Sequence, residues 1–505
     1  MASGVGRGDP ANGTVGTGAP TGLNNSGDPA VIVVMMRTIS GSVALAIATL
    51  IGPPAAHAQV GPGVTESIVS RADPAERFAA FVPSSYRPDV PAPLVVIMDY
   101  RGRALLPLER LAPAAERLGY VLVSSWDSSS DETAQINERA VSAMIEDAQD
   151  LFTIDPRRLY FVGMSGTARQ AWTFGERFRP YTAGVIGFGA ALPSPGMLVE
   201  LTLDGPFPFA FYGGAGYVDY NYEEVRSLDW RLDQYHAPHL VEFYPGPHLW
   251  PDSAVFERAL EWLDVQAVRA GTQTRSEEEL LGFYERRVER ARALEGADDP
   301  EGAWRTFDAL VADFDGLLDT ETAREGVARL SESRALAEAR RRLTREVAEY
   351  VAFDDRLAAW LQRVDASGRT QDVAGGVREL EIDRLLARAG RTSDVHAARA
   401  AQRKLEEIFV HASFYQPRKH MARDRYDLAR AYFRIASRIK PDEPSVCLGL
   451  ARTAAQTRRI DEALMALECV VEHGSLQPVD LDSDPLLKPL HDTERYRELR
   501  ARLSG

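Results

Sequence analysis

Seven short apolar runs lie between Thr65 and Gln266, separated by amphipathic stretches. The runs are "ERFAAFVP" (76–83), "PLVVIMDY" (93–100), "YVLVSSW" (120–126), "RLYFVGMS" (158–165), "AGVIGFGA" (183–190), "FPFAFYGG" (207–214) and "HLVEFYPG" (239–246). Several are apolar nearly throughout, as strands buried on both faces are. Helical periodicity occupies Leu108–Leu118, Glu132–Leu151, Ala168–Phe178 and Tyr222–Tyr235. This alternation predicts a mostly parallel sheet covered by helices on both faces, with a site at the carboxyl ends of its strands.

After "GTQTRSEEE" (271–279) no strand-like run follows. Arg/Glu/Ala/Leu stretches take over, broken near residues 295–302, 365–370, 389–394 and 440–444. The pattern predicts an all-helical half. "RYDLARAYFRIASRIKP" (425–441) aligns with "RIDEALMALECVVEHGS" (459–475) at an offset of 34 residues. Ala429, Phe433 and Ala436 then meet Ala463, Leu467 and Val470. A 34-residue period with small residues at helix contacts is a tetratricopeptide signature. Two units are too few to stand alone, so residues 275–420 are expected to extend or cap a stack whose grooves suit a peptide or protein partner.

The N-terminal region carries two different signals. Residues 1–34 are rich in Gly, Ala, Asn, Thr and Pro, and are expected to be disordered or an upstream extension of a chain starting at Met35 or Met36. Residues 35–58 read as a secretory signal: Arg37, an apolar run from Ile39 to Ile51, and Ala56-His57-Ala58 before the cut. That run is too short to span a bilayer. A periplasmic or secreted mature protein without a transmembrane helix is expected.

Composition narrows the partners. The 505 residues exceed one ordinary domain, and a net charge of −15 argues against nucleic acid. Two cysteines, Cys447 and Cys469, exclude a disulfide framework and a Cys-rich zinc site; they are either bridged to each other or two buried thiols. No metal or cofactor motif is present: His236 and His239 lack further ligands at suitable spacing.

The chemistry centres on "YFVGMSGTARQAW" (160–172). A nucleophile lifted off a strand onto a helix needs small neighbours, and Gly163, Gly166 and Ala168 surround Ser165. Thr167 is bulkier than the glycine usual there and is expected to fit with some strain. Downstream, Asp219 follows the strand "FPFAFYGG", and His248 follows the last strand and the turn Pro245-Gly246-Pro247. Ser, then acid, then His is the chain order of such triads. Alternatively, Asp219 or Asn221 caps the next helix, and His248 is a loop histidine packed on Trp250.

Residues 65–267 resemble the α/β-hydrolase superfamily, particularly secreted esterases of the polyhydroxybutyrate-depolymerase and feruloyl-esterase type. The serine turn and "GPHLWP" (246–251) carry the resemblance. It implies an α/β-hydrolase domain over less than half of the chain; the all-α helical half resembles tetratricopeptide proteins instead, with repeats and a C-terminal cap over 421–505. The hydrolase resemblance gives Ser165 the nucleophile role, His248 the base and Asp219 the acid, acting on carboxylic esters without a cofactor. Thr167 and Pro247 stand where the family carries glycine.

The same mechanism predicts an oxyanion hole from the Gly166 amide and from Tyr100 or Arg101. Asp99 is either part of that loop's chemistry or paired with Arg101 or Arg103. Trp126, Tyr217 and Trp250 are expected either to line the substrate pocket or to pack in the core or at the rim. The short 191–204 segment leaves little room for a lid, so an open site is expected. Two rival readings remain: a non-catalytic scaffold whose repeats bind a partner, and a serine peptidase of the same fold.

Overall fold

The run Pro93–Tyr100 has no polar residue before Asp99. In the computed structural model, which describes residues 60–203, 205–474 and 478–503, it forms strand β3 (Ala92–Met98), buried at every position. Both expected N-terminal segments lie outside the described residues. The other strands are β1 (Gly63–Val69), β2 (Arg77–Val82), β4 (Val121–Ser125), β5 (Ile154–Met164), β6 (Thr182–Phe188), β7 (Ala210–Gly216) and β8 (His239–Tyr244). They make one sheet in the order β1-β2-β4-β3-β5-β6-β7-β8. β2 pairs antiparallel with β1 and β4, and all other pairings are parallel.

Side chains alternate across the pleat, so each buried strand feeds two cores. Val95, Ile97, Val162 and Ile186 pack with helices α1 (Leu105–Leu118) and α6 (Ser253–Arg269). On the opposite face Phe161 and Phe211 meet α3 (Gly166–Arg177): Trp172 stacks 4.5 Å from Phe211, and Phe174 lies 5.8 Å from Phe161. Helices α2 (Ala134–Leu151), α4 (Met197–Thr202) and α5 (Tyr222–Gln234) complete this part. The chain is a mostly parallel eight-stranded sheet covered by helices, followed by an all-helical region. β1, mostly exposed and without an apolar run, escapes the sequence pattern. β7 extends past the apolar run's last residue, Gly214, to Gly216, so the loop that carries Asp219 begins at Tyr217.

The change of pattern near residue 275 is a change of secondary structure and not of core. Helices α7 (Glu277–Gly296), α8 (Pro300–Phe314) and α9 (Glu321–Ser331) share one hydrophobic cluster with the sheet and α6, through Phe283, Phe307 and Leu330. Buried Asp313 joins the parts: it accepts from Trp262 Nε1 at 2.9 Å and from Arg287 Nη1 at 2.7 Å. The 34-residue helix α10 (Arg334–Ser367) leads to α11 (Thr370–Glu379), α12 (Ile382–Ala389) and α13 (Val395–Val410). A π-helical turn at His411–Tyr415 and α14 (Gln416–Met421) follow, then α15 (Tyr426–Ile439), α16 (Pro444–Gln456) and α17 (Ile460–His473). Short α18 (Pro478–Ser483) and α19 (Glu494–Arg502) close the chain.

α15 and α17 start and end 34 residues apart. Asp424 and Arg458, the same distance apart, both hold a left-handed φ before these helices. Asp298 holds it between α7 and α8, so one hairpin turn recurs upstream. Ala429, Ala436, Ala463, Leu467 and Val470 are buried, as the repeat requires. Cys447 and Cys469 are joined in a disulfide that ties α16 to α17. Among the described residues no helix is long and apolar enough to cross a membrane.

Candidate active site

Ser165 stands between β5 and α3 with φ 58° and ψ −129°, a conformation rarely open to a residue with a side chain. Its neighbours permit it. A Cβ on Gly163 would fall 2.1 Å from the Thr167 carbonyl oxygen, so only glycine fits there. Thr167 corrects the expectation of strain. It is fully buried, and its Oγ1 lies 2.8 Å from the carbonyls of both Met98 and Met164 and accepts the Met164 amide at 3.0 Å. The hydroxyl braces the turn against β3, which a glycine could not do.

His248 Nδ1 faces both carboxylate oxygens of Asp219, at 2.9 and 3.0 Å. That contact fixes the Nδ1–H tautomer and leaves Nε2 as an acceptor. Asp219 is completely buried, and its Oδ1 also takes the Asn221 amide at 2.8 Å. It is not the cap of α5: Asn221 holds that position, and its side chain instead donates to the Gly189 carbonyl at 2.6 Å. Gly189, with φ 61°, passes beneath the pair; a Cβ there would meet Asp219 and the His248 ring at 3.0 Å. His239 starts β8 and sits 3.4 Å from Asp229, away from this pair, while His236 lies in the preceding turn.

Tyr220 connects the imidazole to the serine. Its ring lies 4.3 Å from that of His248, and its hydroxyl adjoins those of Ser165 and Tyr415. Burial raises its pKa, so it is a neutral hydroxyl. His248 Nε2 has no hydrogen-bond partner among the described residues. Nothing in the apolar patterning marks Tyr220; its position beside Asp219 was the one available signal.

The loop after β3 is organised by Asp99, fully buried at the strand's end. Asp99 accepts from the Arg101 amide at 2.8 Å, from the Arg103 amide and side chain at 3.1 Å, and from Trp250 Nε1 at 2.6 Å. This corrects two expectations. The Arg101 amide is committed to Asp99 and is not free to meet an oxyanion. Trp250 is 5% exposed, packs edge-on against Phe188 and joins the histidine loop to the Tyr100 loop, and the pocket it borders is formed with Arg110, Tyr244, Pro247 and Asp252 rather than with Ser165. The Tyr100 and Gly166 amides have no acceptor among the described residues, and Gly166 opens α3, where the helix dipole favours negative charge. Trp126 is half-buried and donates to the Glu66 carbonyl at 2.9 Å, tying its loop to β1.

The site is not open on every side. Arg403 of α13, 5% exposed, donates to the Tyr217 carbonyl and to Glu223 and Glu346, each at 3.2 Å. Its guanidinium lies 4.3 Å from the Tyr222 ring, and Arg399 lies 4.2 Å from that of Tyr217. The π turn brings Tyr415 to Tyr220, and Arg418 reaches Asp131 on the loop after β4 at 3.0 Å. Residues 399–418 thus wall the loop that carries Asp219. The open site expected from the short 191–204 segment is therefore bordered on this side by the distant helical half.

No protein-family model matches the chain, and no curated protein matches it. Solved structures do. An S-formylglutathione hydrolase from Staphylococcus aureus is 13% identical and covers 40% of this chain and 97% of its own, with a TM-score of 0.34. A ferulic acid esterase is 14% identical over 40% of this chain and 95% of its own, also at 0.34. A thermostable esterase is 20% identical over 39% of this chain and 62% of its own, at 0.32. Scores this low assign no activity.

Proposed function

We propose that the protein is a serine hydrolase that cleaves carboxylic esters with Ser165, His248 and Asp219. The observation that carries the reading is the buried Asp219–His248 pair at 2.9 Å, joined through Tyr220 to a serine held at φ 58°. His248 Nε2 takes the proton from Ser165 Oγ as the oxygen attacks the ester carbonyl, then delivers it to the leaving alcohol. Asp219 keeps the tautomer and stabilises the imidazolium. The Tyr100 and Gly166 amides receive the developing oxyanion, each worth about 3–4 kcal/mol in comparable sites. Water repeats the sequence on the acyl-enzyme.

The scaffold reading has one observation in its favour: the Ser165 hydroxyl adjoins Tyr220, and His248 Nε2 has no partner among the described residues. A fluorophosphonate probe separates the two. The intact chain should be labelled and Ser165→Ala should not; an unlabelled intact chain, or equal labelling of both, removes the enzyme reading. Turnover of p-nitrophenyl acyl esters against aminoacyl amides separates esterase from peptidase. Asp219→Asn should lower turnover by orders of magnitude with the fold intact.

The helical half is proposed to be tetratricopeptide-like, with a groove for a peptide or protein partner. The matched 34-residue offsets of α15 and α17 support this. Export to an oxidising compartment is proposed from the signal-like residues 35–58 and agrees with the Cys447–Cys469 disulfide. An unlinked pair of thiols in protein recovered from its native compartment would count against export.

A further inference from the structure

A second cavity of about 130 Å³ lies where the sheet's edge strand β8 meets α7, α8 and α10. One water needs only about 10–15 Å³ by this measure, so the space suits a small organic molecule. Most of the lining is apolar, from residues such as Leu240, Phe243 and Leu294. Two arginines in the wall have spare donors. Arg287 is 6% exposed; its Nη1 donates to Asp313, outside the lining, and its Nη2 has no acceptor among the described residues. Arg290 donates through Nη2 to Glu242 at 3.1 Å, while its buried Nε has no acceptor among the described residues. A buried N–H left unpaired is costly, and guanidinium forks match carboxylates. Arg258 and Arg305, also in the wall, are occupied by Glu242 and Glu301.

We propose that this cavity binds a small carboxylate with an apolar body, held by Arg287 and Arg290. Tyr217 belongs to the cavity wall. It also links the cavity to Asp219, two residues on: its amide donates to the Tyr244 carbonyl at 2.7 Å, and its carbonyl takes Arg403. The inference does not depend on the triad.

The test is thermal denaturation and calorimetric titration of the full chain carrying Ser165→Ala, with benzoate and hexanoate as probes. Benzyl alcohol supplies the apolar body without charge, and acetate the charge without the body. Benzoate or hexanoate at about a hundredfold excess over its Kd should raise the midpoint by roughly 2–3 °C, and the controls should not. Leu294→Trp, which fills the cavity, should abolish binding. Arg290→Gln, at a partly exposed position, should weaken it about tenfold. Equal binding of benzyl alcohol would overturn the anion site. Binding that survives Leu294→Trp would place the ligand elsewhere. Absence of any shift would leave a cavity filled with water only, and the proposal would fail.

Discussion

The turn Gly163–Thr167 and the wall of residues 399–418 meet at Tyr220, yet different forces hold them. The turn is local: five consecutive residues set its shape, and its tolerances are those of backbone atoms in contact. The wall is assembled across nearly 190 residues of separation by guanidinium groups that reach carbonyls, carboxylates and rings. A steric turn either forms or does not. A charged interface can be weakened by degrees, so the part that shapes Ser165 is rigid and the part that borders it is adjustable.

The largest effect should come from the turn. Gly163→Ala sets a Cβ against the Thr167 carbonyl, where no flexible side chain can yield. The cost should be at least about 3 kcal/mol, with activity lost. An alanine variant that melts like the wild type and hydrolyses esters at an undiminished rate would show the turn to be pliable.

Next is Asp99→Asn, the strut between two loops. The amide cannot satisfy the Arg101 and Arg103 donors and the Trp250 N–H together, and Arg103 loses its carboxylate partner. A buried charge left without its partner costs about 3–5 kcal/mol. Because Arg103 is 40% exposed at its side chain, water should hold the loss to the lower end of that range. The Tyr100 and His248 loops should loosen together. Ester turnover that falls no more than the folded fraction does would show that Asp99 serves stability alone.

These two cases show what the chain reveals before folding. The buried strands, the small residues around Ser165 and the order Ser165, Asp219, His248 are visible because each is a local pattern. Asp99 appeared only as an alternative, since its partner Trp250 lies 151 residues away. Arg403, Tyr220 and Tyr415 carry no local signal: an arginine on a helix reads as solvated until the opposing surface is known. Thr167 was misjudged for a related reason. Its size could be read, but the Met98 carbonyl that receives its hydroxyl could not.

Thr167→Val therefore ranks third. It keeps the shape and removes the hydroxyl, leaving the Met164 amide without that acceptor and the Met98 carbonyl without that donor. Buried polar groups left unpaired cost about 1–3 kcal/mol. Thr167→Gly should lose a similar amount through the same bonds, despite restoring the usual residue. If glycine stabilises the protein in chemical denaturation, steric strain outweighs the brace.

The effect that vanishes at acidic pH belongs to the wall's own buried acid. Glu407 of α13 is pushed up to about 8, first by burial and then by the nearby charge of Asp354; the Tyr350 hydroxyl opposes the shift, while Glu223 and Glu224 add to it. Arg403 and Lys404 lie beside it in the chain, and Arg403 already pairs with Glu223 and Glu346. Unfolded, the carboxyl titrates near 4.5. The folded protein therefore holds a proton that the unfolded chain releases between about 4.5 and 8. Stability from this group is complete below 4.5 and declines as pH rises, until the folded carboxyl has itself ionised above 8. Glu407→Gln keeps a neutral side chain at every pH. It should leave acidic stability nearly unchanged and flatten the decline, with its advantage growing from pH 6 to 9. Denaturant midpoints measured across that range decide it. Parallel curves for wild type and variant would mean that Glu407 is ionised in the folded protein, balanced by the guanidinium groups that hold the wall to the loop carrying Asp219.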